Sequence, residues 1–221
     1  MNIDPYIVSV IWLSLKVAAV SLAVAAVIGI PLGVVLGLTR FSGRLVFLIL
    51  VNSAIGLPPV VAGLVTFLLL RKEGLLGVLQ LLYTPAAMVL AQIPLIVPLI
   101  AGITMAGISS VPSDLRLQAR ALGASRIQEA LTVLREARGT TLAAIVAGFG
   151  ASVSEVGAIL ITGGNLLLGG KNYTRTMTTA IVLETRLGNY GRAMAFGGIL
   201  LAIIVVVNVF LTRAQVGKQP A

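Results

Sequence analysis

Residues 117–138 read LQARALGASRIQEALTVLREAR, a charged segment in the middle of an otherwise apolar chain. The segment holds four arginines and two glutamates, and Gly123 divides it into two parts that each have helical character. Gly123 can adopt the left-handed backbone conformation that ends a helix. Ser125, followed three residues later by Gln128, is a capping-box pattern for the next helix. The sequence therefore predicts a helix-turn-helix at about residues 111–138.

The second helix of this element is predicted to be amphipathic. Its apolar face is expected to hold Ile127, Ala130, Leu131 and Leu134, and the residues expected to lie away from that face are Arg126, Glu129 and Glu136. Such an element could lie on anionic lipid headgroups or dock a soluble partner. The glycine-centred turn and the mixed charges favour docking over a lysine-rich membrane-surface helix.

The composition indicates an integral membrane protein. Of the 221 residues, 58% are hydrophobic and 10% are charged, whereas a soluble domain carries about a quarter charged residues. The chain has no cysteine, no histidine and only seven acidic residues, so neither an enzymatic active site nor a metal site is expected. Basic residues accumulate in the cytoplasmic loops of membrane proteins, so the net charge of +9 predicts contact with lipid and no nucleic-acid partner.

Five stretches are long and apolar enough to cross about 30 Å of hydrocarbon as helices. They cover about residues 7–38, 45–70, 85–109, 140–162 and 190–212. The sequence thus predicts an all-α membrane protein with five transmembrane helices in a single domain over residues 1–221. The N-terminus lacks the basic region of a signal peptide, and no cleavable leader is expected.

The basic residues predict the orientation. One set of connections holds nine of them, namely Arg40, Arg44, Arg116, Arg120, Arg126, Arg135, Arg138, Arg213 and Lys218. The other set holds six, namely Arg71, Lys72, Lys171, Arg175, Arg186 and Arg192. The positive-inside rule then places the N-terminus outside and the C-terminus in the cytoplasm, with the helix-turn-helix on the cytoplasmic side.

Glu155 is the strongest polar signal inside a predicted span. A charged group at membrane depth costs at least about 2.5 kcal/mol on insertion scales, and Ser152, Glu155 and Thr162 would share one face of a continuous helix. This face could line a water-accessible pathway, or Glu155 could only satisfy a packing contact. Other pathway or gate candidates are Pro58 and Pro59, which interrupt the second span, and Gln92 in the third.

The connection at residues 163–179 offers groups that could contact an anion. Asn165, Lys171 and Arg175 would supply hydrogen bonds and positive charge to an oxyanion, although an ordinary solvated loop has the same composition. The segment NLLLGGKN at 165–172 lacks the first glycine and the serine or threonine of a P-loop. The chain therefore has no ATP-hydrolysing site of its own.

The helix-turn-helix resembles the EAA loop of type I ABC-importer permeases, E-A-A-x-x-x-G-x9-I-x-L-P. Ala119, Gly123 and Val133 match the pattern, whereas Leu117 replaces its glutamate and Gln118 its first alanine. The resemblance implies a type I importer (MetI-like) permease fold, in which this loop couples the permease to a separate cytoplasmic ATPase. The implied coupling residues are Ala119, Arg120, Ala121, Leu122, Gly123, Ala124 and Ser125.

The segments SEVGAILITGGN at 154–165 and TRTMTTAIVLET at 174–185 resemble permeases of tungstate importers of the TupB type. This resemblance implies an inner-membrane permease for an oxyanion, most specifically tungstate, that works with an extracytoplasmic substrate-binding protein. It also implies an ATPase dimer that binds the ATP and magnesium, while this chain binds no cofactor. Five helices enclose little pathway, so a homodimer with the route at its two-fold interface is expected.

Two alternatives stay open at this level. The first is an ABC permease for molybdate or sulfate. The second is an ATPase-independent secondary transporter or channel subunit, which would use residues 111–138 as a membrane-surface element. Many secondary transporters carry internal repeats, and no such repeat is found in the sequence.

Overall fold

The computed structural model describes residues 4–216, so Lys218 and both extreme ends of the predicted domain lie outside the described residues. The helices, in chain order, are α1 (Pro5–Leu38), α2 (Arg44–Ile55), α3 (Pro59–Leu70), α4 (Pro85–Ser109), α5 (Ser113–Ala121), α6 (Arg126–Glu136), α7 (Arg138–Ser154), α8 (Gly157–Gly163), α9 (Met177–Arg186) and α10 (Tyr190–Val216). A 3-10 turn at Gly77–Leu79 and a hairpin of β1 (Leu167–Leu168) and β2 (Lys171–Asn172) complete the described elements.

Three helices, α1, α4 and α10, are individually long and apolar enough to span a membrane. The pairs α2–α3 and α7–α8 each qualify together but bend by 104° and 54°. Counting each bent pair as one span gives five, in agreement with the sequence. The expectation of one uninterrupted helix at 140–162 is wrong, because α7 ends at Ser154 and α8 begins only at Gly157.

The break between α2 and α3 falls at the predicted prolines. Pro58 adopts an extended backbone and Pro59 begins α3. Neither residue has a backbone N–H to continue the hydrogen-bond ladder of α2, so the helix stops and restarts in a new direction. In α4, by contrast, Pro94 and Pro98 lie inside one continuous helix of 25 residues.

The close packing of α1 against α4 depends on three glycines spaced four residues apart, Gly29, Gly33 and Gly37. A Cβ atom added at Gly33 would lie 2.6 Å from the carbonyl oxygen of Ala101 and 2.8 Å from Cβ of Thr104. Glycines at this spacing let helix backbones approach closely in a membrane. The pair α1–α4 therefore forms the central packing unit of the fold.

The connections group at two ends of the helix bundle. At one end, the helix-turn-helix of α5 and α6 packs beside the end of α1, where an Arg116 Nη donates to the Leu38 carbonyl at 3.0 Å. At the other end, the β-hairpin and the start of α9 pack beside the start of α1, where Arg175 donates to the Tyr6 hydroxyl at 2.9 Å. The connections that the basic residues assigned to opposite sides thus lie at opposite ends.

Candidate functional site

The two broken spans meet each other. A Cβ atom added at Gly63 of α3 would lie 2.6 Å from Cα of Ala158 in α8. A Cβ atom added at Gly157 would lie 2.9 Å from a methyl group of Val60. The second helices of the two broken spans, α3 and α8, therefore pack with their backbones close together. Interrupted helices of this kind are tolerated at membrane depth where they are buried or line a cavity.

A cavity of about 260 Å³ lies between these breaks. Its wall contains four of the residues that the sequence singled out as pathway candidates, Pro59, Gln92, Ser152 and Glu155, and also Ser154. The remaining wall residues are apolar, namely Ile55, Leu57, Leu95, Ile96, Leu99 and Ala151. Pro58 lies between two wall residues, at the break itself. The structure thus brings distant polar candidates together at one place.

Gln92 and Ser152 form a buried pair between α4 and α7. The Ser152 hydroxyl donates to Oε1 of Gln92 at 2.7 Å, and Nε2 of Gln92 donates to the Ser152 carbonyl at 3.0 Å. Both residues are almost fully buried. Both side chains therefore have a hydrogen-bond partner, as buried polar groups usually do, and the pair places an amide and a hydroxyl group on the cavity wall.

Glu155 occupies the break between α7 and α8 and is 9% exposed. Its Oε1 accepts from the backbone N–H of Ala158 at 2.9 Å, and its own carbonyl accepts from the Thr178 hydroxyl at 2.8 Å. The predicted shared face with Ser152 and Thr162 is wrong, because no continuous helix connects the three. Thr162 instead donates to the carbonyl of Ala158 within α8 and lies off the cavity wall.

The segment NLLLGGKN forms the β-hairpin. Gly169 and Gly170 provide its two-residue turn with φ of 56° and 75°, backbone angles that favour glycine in such turns. Lys171, on the second strand, is exposed. The hairpin geometry explains the two glycines without a nucleotide site.

Arg175 anchors the segment that follows the hairpin. Its guanidinium donates from Nε to the side chain of Asn165 at 3.2 Å, from Nη1 to the Tyr6 hydroxyl at 2.9 Å and from Nη2 to the Asn165 carbonyl at 3.3 Å. All three nitrogens therefore have a protein acceptor. The structure brings Asn165 and Arg175 together and leaves Lys171 outside this cluster. An anion contact by these residues stays a prediction.

The helix-turn-helix has the predicted turn. Gly123 has φ of 81°, in the left-handed region that favours glycine. The Ser125 backbone N–H donates to the Gln128 side chain at 2.8 Å, and the Gln128 N–H donates to the Ser125 hydroxyl at 3.3 Å. This reciprocal capping box fixes the start of α6 directly after the turn.

The buried face of α6 differs from the predicted one. Glu129, Val133 and Ala137 are buried, whereas Ile127 is 73% exposed and Leu131 is 48% exposed. A glutamate can lie inward because two arginines neutralise its charge, Arg116 at 2.9 Å and Arg120 at 2.8 Å. The hydrogen bond from Arg120, followed by the interaction with Arg116, holds the pKa of the Glu129 carboxyl below its ordinary value, although burial opposes this.

The tip of the helix-turn-helix therefore presents apolar side chains to its surroundings. Leu122 is 89% exposed, Ile127 is 73% exposed and Leu117 is 61% exposed. We call these three residues the docking surface. Exposed apolar side chains near charged ones are typical of protein-binding surfaces. Docking by these residues and by the implied coupling residues at 119–125 stays a prediction.

The fold and the site together define a class of protein. Broken membrane helices around a cavity that carries a few polar groups are typical of membrane transport proteins. The family model described as the binding-protein-dependent transport system inner membrane component matches residues 29–216. The chain belongs to this family of inner-membrane ABC importer permeases.

Individual relatives agree with the family. The chain is 40% identical over 94% of its length to a probable anion ABC transporter permease from Haloferax volcanii, of which it covers 90%. It is 35% identical over 97% of its length to the tungstate uptake permease TupB of Peptoclostridium acidaminophilum, of which it covers 92%. Among solved structures, the inward-facing MetNI methionine ABC transporter shares the fold, with a TM-score of 0.80, 20% identity and 97% coverage of both chains.

As a permease of this family, the chain is not an enzyme. ATP hydrolysis belongs to a separate ATPase subunit, and a substrate-binding protein delivers the cargo.

Sequence reasoning missed the row of Gly29, Gly33 and Gly37 on α1, here called the glycine ridge, which a search for small residues at four-residue spacing would have found. It also missed the pairing of Glu129 with Arg116, since a contact across thirteen residues and a turn has no periodic signal.

Proposed function

We propose that this chain carries tungstate across the inner membrane as the permease of an ABC importer. The observation that carries the proposal is the 35% identity over 97% of the chain with a tungstate uptake permease. The cavity between the two helix breaks supports it, because Gln92 and Ser152 place neutral hydrogen-bonding groups on its largely apolar wall. The N-terminus faces outward and the C-terminus lies in the cytoplasm, in keeping with the basic residues near the helix-turn-helix.

The docking surface and the adjoining turn at 119–125 contact the ATPase. Leu122 and Ile127 would enter a groove of the ATPase, while Gly123 allows the sharp turn that presents them. ATP and magnesium bind to the ATPase dimer, and this chain binds no cofactor. Closure of the ATPase dimer then moves the helix-turn-helix and, through it, the membrane helices.

The substrate route runs past the cavity at the helix breaks. Two copies of the chain form a homodimer, and the cavity of each copy opens toward the shared route. The Ser152 hydroxyl already donates to Gln92, so the second N–H of the Gln92 amide is the neutral donor that the pair offers to an oxyanion. The carboxylate of Glu155 repels an oxyanion, and its role is to order or gate the break. Weak contacts suit a pathway, since a tightly held ion would not leave.

At the hairpin end, the substrate-binding protein docks and releases the oxyanion. Lys171, exposed on the hairpin, offers the first contact. Asn165 and Arg175 shape the entrance, because Arg175 already donates to protein acceptors from all three guanidinium nitrogens. Specificity would then lie mostly in the binding protein.

The test is purification of the chain with its ATPase, followed by uptake assays in proteoliposomes with the binding protein. We expect two permease copies and two ATPase copies in the complex by native mass spectrometry, and ATP-dependent uptake of tungstate above molybdate and sulfate by metal and sulfur analysis. Gly123→Val should abolish ATPase association, because a branched side chain is strained at φ of 81°. Gly139→Val, in open space on α7, is the matched control.

Each alternative has its own outcome. Preferential uptake of molybdate or sulfate would replace tungstate as the substrate and leave the ABC mechanism intact. Normal ATPase stimulation in Gly123→Val would contradict the coupling role of the turn. Uptake without any associated ATPase would identify a secondary transporter or a channel subunit.

A further inference from the structure

A buried carboxylate lies between the two helices of the helix-turn-helix. Glu129 is 4% exposed, and both its oxygens are occupied. Oε1 accepts from Nε of Arg116 at 2.9 Å, and Oε2 accepts from Nε of Arg120 at 2.8 Å. Because both arginines belong to α5, the carboxylate joins α5 to α6.

Arg116 also reaches beyond the helix-turn-helix. Its Nη2 donates to the carbonyl of Leu38, the last residue of α1, at 3.0 Å. The last carbonyls of a helix have no partner within the helix, and the C-terminal end of the helix dipole attracts a cation. Arg116 thus bridges Glu129 and the end of α1 with two different nitrogens of one rigid guanidinium group.

An apolar contact between the helix-turn-helix and the membrane helices lies next to this bridge. Val133 and Ala137 pack with Ile108 in a buried cluster to which Leu38 also contributes. This apolar contact holds the helix-turn-helix against the membrane helices even without the charged groups. Apolar contacts of this kind are non-directional, whereas the guanidinium bridge fixes an orientation.

We propose that Glu129 and Arg116 are positioning residues that make the helix-turn-helix move as one body with α1. This inference rests on the proposed function, since the motion is that imposed by the ATPase on the docking surface. Without the bridge, the ATPase would still bind, but the helix-turn-helix would rock on its apolar contact. Because the glycine ridge joins α1 tightly to α4, a displacement of α1 is passed on to α4 and the cavity wall.

The chemistry of the bridge explains why both residues are needed. The guanidinium is planar and presents several donors in a fixed geometry, which a lysine ammonium cannot reproduce. In Arg116→Lys the charge remains, but a single ammonium would have to serve both acceptors. In Glu129→Gln the shape remains, but the charge-assisted hydrogen bonds from two arginines are weakened. Both variants preserve the apolar cluster around Val133.

The experiment compares these two variants with the same changes at exposed positions of α6, Glu136→Gln and Arg135→Lys. In proteoliposomes containing the ATPase and the binding protein, we expect both buried-site variants to retain ATPase association. Tungstate transported per ATP hydrolysed should fall by about tenfold, within the usual range of coupling effects. Both exposed variants should keep the wild-type ratio.

A second measurement reports on the bridge without the ATPase. The chain has no cysteine, so spin labels can be placed on Thr39→Cys and Gln118→Cys alone, both exposed positions. Pulsed electron resonance in nanodiscs, with labelled chains diluted among unlabelled ones, should give one narrow distance within a chain in the wild-type background and in the Glu136→Gln control. The distance distribution should broaden in Glu129→Gln.

The outcomes separate the two proposals. A wild-type coupling ratio in Glu129→Gln, or a distance distribution as narrow as in the control, overturns the positioning role. Loss of ATPase association in Glu129→Gln also overturns it, since the residue would then only shape the docking surface. If the wild-type chain itself binds no ATPase, the proposed function fails, whereas the spin-label distances still report whether Glu129 and Arg116 hold the helix-turn-helix to α1.

Discussion

Glu155 combines two roles that are usually separate, a cap and a charge. Its carboxylate accepts from the N–H of Ala158 at 2.9 Å, which supports the restart of the chain as α8 after the break. It also contributes the negative charge on the wall of the cavity. A substitution that keeps the hydrogen bond and removes the charge therefore distinguishes an effect on transport from an effect on folding.

Glu155→Gln is such a substitution. The amide oxygen of glutamine can still accept from Ala158, so the thermal unfolding midpoint in detergent should stay near the wild-type value. Tungstate uptake should fall by at least about tenfold, a change of about 1.4 kcal/mol in the transport barrier, because the gate loses its charge. The matched control is Glu73→Gln, at an exposed position in the connection after α3. Wild-type uptake in Glu155→Gln would assign Glu155 to packing alone.

At the residue scale, the sequence identified the polar residues of the cavity wall but not the helix break that positions them. Gln92, Ser152 and Glu155 could be singled out because a polar residue in an apolar span needs a reason. Helical periodicity places Thr162 on the same wall only if one helix continues through Glu155, and α7 ends at Ser154. A helix break there depends on contacts from α9, such as the hydrogen bond from Thr178, which no local pattern reveals.

At the level of secondary-structure elements, the tight packing of α1 against α4 can be tested at Gly33. Gly33→Val should destabilise the protein by about 1–3 kcal/mol, a typical cost of overpacking a core, because its Cβ would lie 2.6 Å from a backbone oxygen of α4. The measurement is the unfolding midpoint in detergent, together with the yield of folded protein. Gly198→Val, at an exposed position of α10 with open space around it, controls for the cost of valine in a helix.

An unfolding midpoint equal to that of the control would contradict the tight contact. In that case the two helices would have to be separated by more than the structure shows. A lowered midpoint in Gly33→Val alone would confirm that the ridge joins α1 to α4, which the transmission of motion from the helix-turn-helix requires.

The elements themselves were predictable to different extents. All five spans follow from apolar length, and the break at Pro58 and Pro59 follows from the missing N–H groups. The orientation of α6 could not be predicted, because hydrophobic periodicity places Glu129 outward and only its partners on α5 make the buried position favourable. The helix α9 was also missed, since its N-terminal threonines are typical of a loop until a capping box and the Ser14 hydroxyl satisfy its first N–H groups.

At the scale of the whole molecule, the helix-turn-helix and the hairpin, which the basic residues assign to opposite sides of the membrane, lie at opposite ends of α1. The helix-turn-helix lies beside the end of α1, and the hairpin lies beside its start, so the two are separated by the full length of the longest helix. The proposed function requires the helix-turn-helix to face the cytoplasm, where an ATPase can reach it. The positive-inside rule predicts the same side.

Sidedness can be measured directly because the chain has no cysteine. A membrane-impermeant maleimide should label Lys171→Cys, in the exposed hairpin, on intact cells. Thr39→Cys, in the exposed connection after α1, should react only after the cells are permeabilised. Replacing Lys171 removes a basic residue from the outer side, so the substitution itself strengthens the charge bias that sets the orientation. The reverse labelling pattern would invert the topology, and labelling of both positions on intact cells would contradict a membrane-spanning α1.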